Sequence, residues 1–369
     1  MPTERPSFRD RRDRATAKLA ARGCAALLLS PGPDLFYLTG YQVFPSERLT
    51  CLVLRADGRA MVVCPELEAP RLAESAPDLE RVSWSETDDP FALAARLAGD
   101  RPGDIAIADQ MWAAFVLPLE AALSGRRLRV ASEITRELRA RKDGYERAAL
   151  RAASEAADRA YVRVLSEPFA GRTEREIGDC LAGLLRAEGH DEVNFTIVGS
   201  GPNGASPHHD TGQRRISPGD TVVLDFGGGR KGYRSDITRT VHVGASIDRE
   251  QQRVHDVVRR SQEAGYAAAR EGATAESVDA ASRAVIDEAG YGRFFIHRTG
   301  HGIGLEGHEH PYLVRGNREL LEPGMAFSIE PGIYLEGRFG VRIEDIAIID
   351  DDGSVTPLNQ ADHAFATVA

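Results

Sequence analysis

The residues best able to do chemistry in this chain lie in two stretches that read as strand, turn, strand. In the first, Thr221-Val-Val-Leu-Asp225-Phe226 and Tyr233-Arg-Ser-Asp236-Ile-Thr-Arg-Thr-Val241 flank the glycine-rich segment 227–232. Its glycines supply the positive φ that a tight reversal needs. Asp225 and Asp236 are centred on position 230.5, one residue from the centre of that segment at 229.5. A simple hairpin then sets the two carboxylates nearly opposite each other. In the second stretch Glu330 and Glu344 are centred on 337 and the turn 335–340 on 337.5, which pairs a second set of acids. Asp225 and Glu330 each close an apolar run, Val222-Val-Leu224 and Phe327-Ser-Ile329, where burial is expected. Acids facing each other across a strand pair are destabilising, and buried unpaired carboxylates more so. Such groups are protonated, or ion-paired with Arg239 or Arg342, or gathered around cations.

Histidines tip the balance towards cations. In Arg298-Thr-Gly300-His301-Gly302-Ile-Gly-Leu-Glu306-Gly-His308-Glu309-His310-Pro311, His301 sits between two glycines that permit close backbone approach, and His308 follows seven residues later. A turn-rich loop, Asn203-Gly-Ala-Ser-Pro207-His208-His209-Asp210, brings two more. One imidazole and four carboxylates form a hard, oxygen-rich donor set that suits two divalent ions such as Mn2+ or Co2+, with Zn2+ also compatible. So many ligands exceed what one open catalytic zinc uses, and they fit a pair of ions about 3.5–4 Å apart.

The elements that must position these groups are legible around them. Ala148, Ala149, Ala152, Ala156 and Ala160 favour a helix after a charged crossing, Arg136 to Arg147. Thr173-x-x-Glu176 has the spacing of a capping box and opens a helix to about Glu188. Ser246 and Thr274 are candidate caps for helices over 247–271 and 275–289. Ahead of them the pattern is a basic helix over 8–22, an apolar strand Cys24–Ser30, a hairpin about Asp57-Gly58 and a strand at Ile105–Ala108. That N-terminal stretch contains no histidine, since all ten lie at His190 or later. The domain boundary is placed near Arg141, giving domains 1–140 and 141–369.

Composition bounds the rest. With 46 Lys and Arg against 56 Asp and Glu the net charge is −10, which argues against nucleic acid as a partner. The longest early apolar run, Cys24–Leu29, falls far short of the about 20 residues a membrane span needs. The charged N-terminus lacks the apolar core of an export signal, so the cytoplasm is the expected location. Cys24, Cys51, Cys64 and Cys180 form no Cys-x-x-Cys pair and are expected to be reduced.

Val-Leu-Asp225-Phe-Gly, Ser-Asp236-Ile-Thr-Arg-Thr, Gly-His301-Gly-Ile-Gly-Leu-Glu-Gly-His308-Glu-His-Pro, Ile-Glu330-Pro-Gly-Ile-Tyr and Val-Arg-Ile-Glu344-Asp together resemble the pita-bread metallopeptidases. That family includes methionine aminopeptidase, aminopeptidase P and prolidase, and the likeness covers roughly residues 145–365. Asp34-Leu-Phe-Tyr-Leu-Thr-Gly40 and the Asp57-Gly58 hairpin resemble a creatinase/prolidase N-terminal domain, which points to the proline-specific branch. The resemblance implies an α/β N-terminal domain and an α+β pita-bread catalytic domain. It implies that Asp225 chelates one metal, that Asp236 and Glu344 bridge both, and that His301 and Glu330 complete the other. Glu330 would take a proton from the nucleophilic water, a metal-bridging hydroxide would attack the scissile bond, and His208 and His308 would contact substrate or the tetrahedral intermediate. Arg342 and Tyr233 would support the metal shell or bind substrate. Asp345 and Glu309 would orient ligands, and His209 and His310, to which the family gives no clear role, are read as loop residues. All five ligand positions are filled, unlike in the metal-free creatinase.

The expected activity is that of a Xaa-Pro dipeptidase. A Xaa-Pro aminopeptidase acting on longer peptides is the alternative, and a non-catalytic binding protein on the same scaffold a distant third. A dipeptidase must recognise a free carboxylate, commonly with arginine. The arginine that some prolidases carry just after His-Glu-x-Pro is absent or displaced here, leaving Arg315, Arg318 or Arg48, the last from the N-terminal domain of this chain or of a partner subunit. A homodimer is expected from the family alone.

Overall fold

In a computed structural model that describes residues 6–369, the chain divides into two compact units, one ending at Arg139 and the other spanning Ala140–Ala369. Helix α1 (Phe8–Ala21) opens the first unit, its start fixed by the Ser7 hydroxyl accepting from Asp10 N. Strands β1 (Cys24–Leu29), β2 (Cys51–Arg55), β3 (Ala60–Pro65), β4 (Glu80–Trp84), β5 (Asp104–Ile107) and β6 (Leu128–Val130) form one sheet in the order β4-β3-β2-β1-β5-β6. β1 is buried along its whole length, as its unbroken apolar sequence requires of a central strand. Helices α2 (Pro33–Thr39), α3 (Ala69–Ser75), α4 (Pro90–Ala98), α5 (Ala113–Ala122) and α6 (Ser132–Ala140) complete the unit. The four cysteines are unbridged.

The second unit repeats one arrangement, a helix pair on a sheet. Helix α7 (Gly144–Val164) starts at a capping box of Asp143 and Glu146, and α8 (Glu174–Ala187) at one of Thr173 and Glu176. They pack on a sheet of β7 (Glu192–Ser200), β8 (Thr221–Arg230), β10 (Ile237–Val243) and β18 (Thr367–Val368), with β9 (Tyr233–Arg234) pairing β8. Ile177, Leu181, Val198, Leu224 and Val241 lie in that core. Helices α9 (Arg249–Ala268) and α10 (Ala275–Glu288) go with a sheet of β11 (Gly300–Gly302), β12 (Glu309–Leu313), β13 (Ala326–Ile329), β16 (Asp345–Ile349) and β17 (Val355–Pro357), and a ribbon of β14 (Gly332–Leu335) and β15 (Phe339–Arg342). Ser246 does not cap α9. Asp248 does, because Gln251 three residues on completes a reciprocal box. Thr274 precedes α10 but makes no side-chain cap bond.

The two hairpins differ from one another. The segment 326–349 is one long hairpin: Ile329 pairs Asp345 and Gly332 pairs Arg342 in the same register, so Glu330 lies across from Glu344. The first hairpin departs from expectation. Gly227–Arg230 do not turn; they stay in β8, laddered to Glu192, Val193 and Phe195 of β7. The reversal is Lys231-Gly232, at φ 52° and 85°. Asp225 therefore pairs Thr238, and Asp236 falls diagonally, two residues away on the same face. The glycines serve close packing, since a Cβ at Gly227 would lie 2.1 Å from Ser235 O and one at Gly228 2.5 Å from Glu192 O. Among the described residues no helix is long and apolar enough to cross a membrane.

Candidate metal centre

The two halves of the second unit meet where Thr238 of β10 bridges Glu344. Glu344 N donates to Thr238 O at 3.0 Å, and Thr238 Oγ1 donates to Glu344 Oε2 at 2.7 Å. This contact brings the Asp225–Asp236 hairpin against the Glu330–Glu344 hairpin. His301 enters from β11, which is wedged between β12 and β13. Both flanking glycines are required there: a Cβ at Gly300 would sit 1.9 Å from Ser328 O, and one at Gly302 2.2 Å from His310 O. His301 N donates to Ser328 Oγ, whose hydroxyl donates to Glu330 Oε1 at 3.1 Å.

The result is one cluster. His301 Nε2 is 3.2 Å from Glu330 Oε1, 3.8 Å from Asp236 Oδ2 and 4.0 Å from Glu344 Oε1. Asp225, Asp236 and Glu344 offer three oxygens within 4.8 Å of one another, and so do His301, Glu330 and Glu344 with their ligand atoms. A further grouping joins Asp236, His301 and His308. Asp225, Asp236, His301 and Glu344 are buried.

The protein's own cations do not neutralise this cluster. Among the described residues Arg342 alone of the arginines and lysines pairs with any of its four carboxylates, Nη2 lying 2.5 Å from Asp225 Oδ2. Arg239 is spent elsewhere, on Asp345. Asp225 Oδ1, Asp236 Oδ1 and Glu344 Oε1 are buried without a hydrogen-bond partner. Burial, then the neighbouring Asp225 and Glu330 charges, push the Asp236 carboxyl well above its ordinary range. Burial and Asp236 do the same to Glu344, and burial lifts Glu330 to about 7 against the pull of Arg342. Burial and His308 hold His301 down at about 3, a neutral imidazole ready to ligate. Orphaned oxygens, mutually repelling acids and a neutral imidazole are the donor set a divalent cation fits.

Around the cluster, His308 packs its ring 3.9 Å from that of His301 and accepts at Nδ1 from Arg298 Nη2 at 3.2 Å. His308 is exposed at the edge of the cluster. Glu309 is buried against Lys142, Nζ to Oε1 2.6 Å, which anchors the segment carrying His308. Asp345 accepts from Arg239, Gln262 and His363. Arg342 also donates to Thr238 Oγ1, the Tyr334 hydroxyl and Pro207 O.

Tyr233, Arg342 and Arg48 lie in three different settings. Tyr233 is 1% exposed and donates to Glu146 of α7, so it presents no surface to a substrate. Arg342, nearly as buried, is committed to Asp225 and supports the cluster from behind. Arg48 is exposed and ion-paired with Glu47 and Glu86 in the first unit. Thr238, Ser328 and Arg298 escaped the sequence reading. They are common polar residues whose partners lie across strands, and only Arg298, three residues before His301, had a positional signal.

Residues 148–351 match Metallopeptidase family M24, and residues 11–141 match the Creatinase/Prolidase N-terminal domain. The chain is 46% identical over 358 residues to the probable dipeptidase PepE of Mycobacterium tuberculosis, covering 96% of this chain and 95% of that protein. It is 34% identical over 346 residues to the Xaa-Pro dipeptidase of Lactobacillus delbrueckii subsp. lactis, covering 91% and 93%. The crystal structure of a recombinant prolidase from Thermococcus sibiricus superposes with a TM-score of 0.94 at 37% identity, covering 99% of this chain and 100% of that one.

Proposed function

The chain belongs to metallopeptidase family M24 and carries a creatinase/prolidase N-terminal domain, and from that premise we propose that it is a Xaa-Pro dipeptidase, hydrolysing the peptide bond before proline. The hydrolytic reading is carried by the convergence of four carboxylates and His301 around a single paired guanidinium. Likeness along nearly the whole chain to proteins named dipeptidase favours short substrates. We place the domain division at residues 140–141.

Two divalent ions, Mn2+ or Co2+ with Zn2+ compatible, would be held by Asp225, Asp236, His301, Glu330 and Glu344. Bound there, they supply Lewis acidity towards a water and the scissile carbonyl. Glu330 Oε1 already accepts from Ser328, so Oε2 takes the proton of the attacking water and returns it to the leaving proline nitrogen. His308 accepts at Nδ1 from Arg298; its proton is on Nε2, positioned to donate to the developing oxyanion. His208 acts on the substrate from the opposite loop. Arg342 holds Asp225 and keeps its carboxylate turned to the cluster.

The test is substrate length. With Mn2+ added, proline release from Xaa-Pro without release of Xaa from Xaa-Pro-Xaa supports the dipeptidase. The reverse result establishes the aminopeptidase, and turnover of neither substrate by metal-loaded protein leaves the binding protein. We further place the protein in the cytoplasm as a homodimer, the latter tested by light scattering, with Arg48 as a carboxylate ligand.

A further inference from the structure

The loop that carries His208 is gathered around a buried acid to which the mechanism above gives no task. Glu174, the first residue of α8, is fully buried. Its Oε1 accepts from Ser200 N at 2.8 Å, Ser200 Oγ at 2.7 Å and Asn203 Nδ2 at 3.0 Å. Its Oε2 accepts from Asn203 Nδ2 at 3.1 Å, His209 Nε2 at 2.9 Å and Gly212 N at 3.4 Å. One carboxylate thus ties down the end of β7, the 3₁₀ turn Gly201–Ala205 and the returning limb of the loop.

Other grips act with it. A Cβ at Gly340 would lie 1.9 Å from Gly204 O, so the base of the loop sits flush on β15. Arg342 Nη1 reaches Pro207 O at 3.3 Å, and Thr211 Oγ1 donates to Thr196 O at 2.9 Å. Between Pro207 and His209, both held, His208 is exposed and makes no hydrogen bond of its own among the described residues. It stands near the cluster: burial, Arg298 and His208, in that order, hold His308 below its ordinary pKa.

Burial alone would raise the Glu174 carboxyl, but the hydrogen bonds from Ser200, His209 and Asn203 outweigh it and the net shift is downward. Glu174 is therefore an anion whose solvation is the loop itself. Any loop rearrangement that breaks these bonds strands a buried charge, so the loop has one strongly preferred conformation.

We propose that Glu174 and His209 are positioning residues that clamp the loop 200–212 so that His208 is presented to the substrate. This rests on the role given to His208 above. In the metal-loaded enzyme, Glu174→Gln and His209→Ala lower kcat about 10–100-fold with KM changed less than about threefold, and His209→Gln recovers part of the loss. In a His208→Ala background the same substitutions cost less than about threefold, because the group they position is gone. In the metal-free protein, amide exchange over 201–212 rises in both single variants while the rest of the second unit is unchanged. Losses that persist in full in the His208→Ala background, or a kcat that neither single substitution moves, overturn the proposal alone. A His208→Ala enzyme with unchanged kcat overturns the role of His208 and the proposal with it. Should Glu174→Gln fail to fold, the partly exposed His209 carries the same cycle.

Discussion

Glu344 and Asp345 are consecutive buried carboxylates, and the protein treats them in opposite ways. Asp345 faces the back of its sheet, where Arg239, Gln262 and His363 supply it with donors. Arg239 also donates to the carbonyls of Glu344 and Thr238, locking the seam between the two hairpins. Burial would raise the Asp345 carboxyl, but Arg239 and His363 hold it below its ordinary range. Glu344 faces three other acids, keeps Oε1 without a partner and is pushed well above the ordinary range. A structural carboxylate is satisfied by its own chain. One meant for a cation is left unsatisfied, at a cost to the unliganded fold.

Substitution should separate the two most sharply. Glu344→Gln is expected to lower Mn2+-dependent activity by more than the about 100-fold typical of residues behind a metal shell, while raising the melting temperature of the metal-free protein. Asp345→Asn is expected to destabilise by about 3–5 kcal/mol in chemical denaturation, because it leaves Arg239 buried and unpaired. Its activity at a permissive temperature should fall only about 10–100-fold. A stabilised Asp345→Asn protein, or a destabilised Glu344→Gln protein, would erase the distinction.

The same contrast has a pH signature. Carboxyls raised in the folded state contribute stability that is complete below their unfolded pKa, about 4, and is lost as pH rises through the folded value, about 7 for Glu330 and above the ordinary range for Asp236 and Glu344. The metal-free protein should therefore lose melting temperature between pH 5 and 8, and the increment on adding Mn2+ should grow over that window. Asp345 works the other way, its contribution present above its unfolded pKa and lost as pH falls through the depressed folded value. A Mn2+ increment that is flat with pH would mean the four acids are not competing for charge.

Smaller effects refine the boundary. Thr238→Val removes the hydroxyl bridging Glu344 and Arg342 and is expected to cost about 1–3 kcal/mol, measured by denaturation. Arg48→Ala, at an exposed pair, should leave the denaturation midpoint essentially unchanged. If Arg48 binds the substrate carboxylate, its loss raises KM for Xaa-Pro but not for the corresponding amide.

Local order was largely readable from the chain. The Glu330–Glu344 register followed from symmetry about position 337, because a hairpin's pairing is set by its own turn. The capping box of Thr173 and Glu176 was visible for the same reason. The turn between Asp225 and Asp236 was misplaced by two residues, 229.5 against 231.5, since glycines needed for packing against β7 look, in sequence, like glycines needed for a turn. His209 passed as a loop residue because its partner, Glu174, lies 35 positions away.

Residue types and spacing by themselves determined that acids and imidazoles would gather, since alternation along a strand assigns each side chain a face. Only the tertiary structure decided which acid received an arginine. Arg239 reaches Asp345 across 106 residues and Arg342 reaches Asp225 across 117. A strand's sequence specifies its face but not what is packed against that face. That pairing separates Asp345, neutralised by the chain, from Glu344, which the chain leaves without a cation of its own.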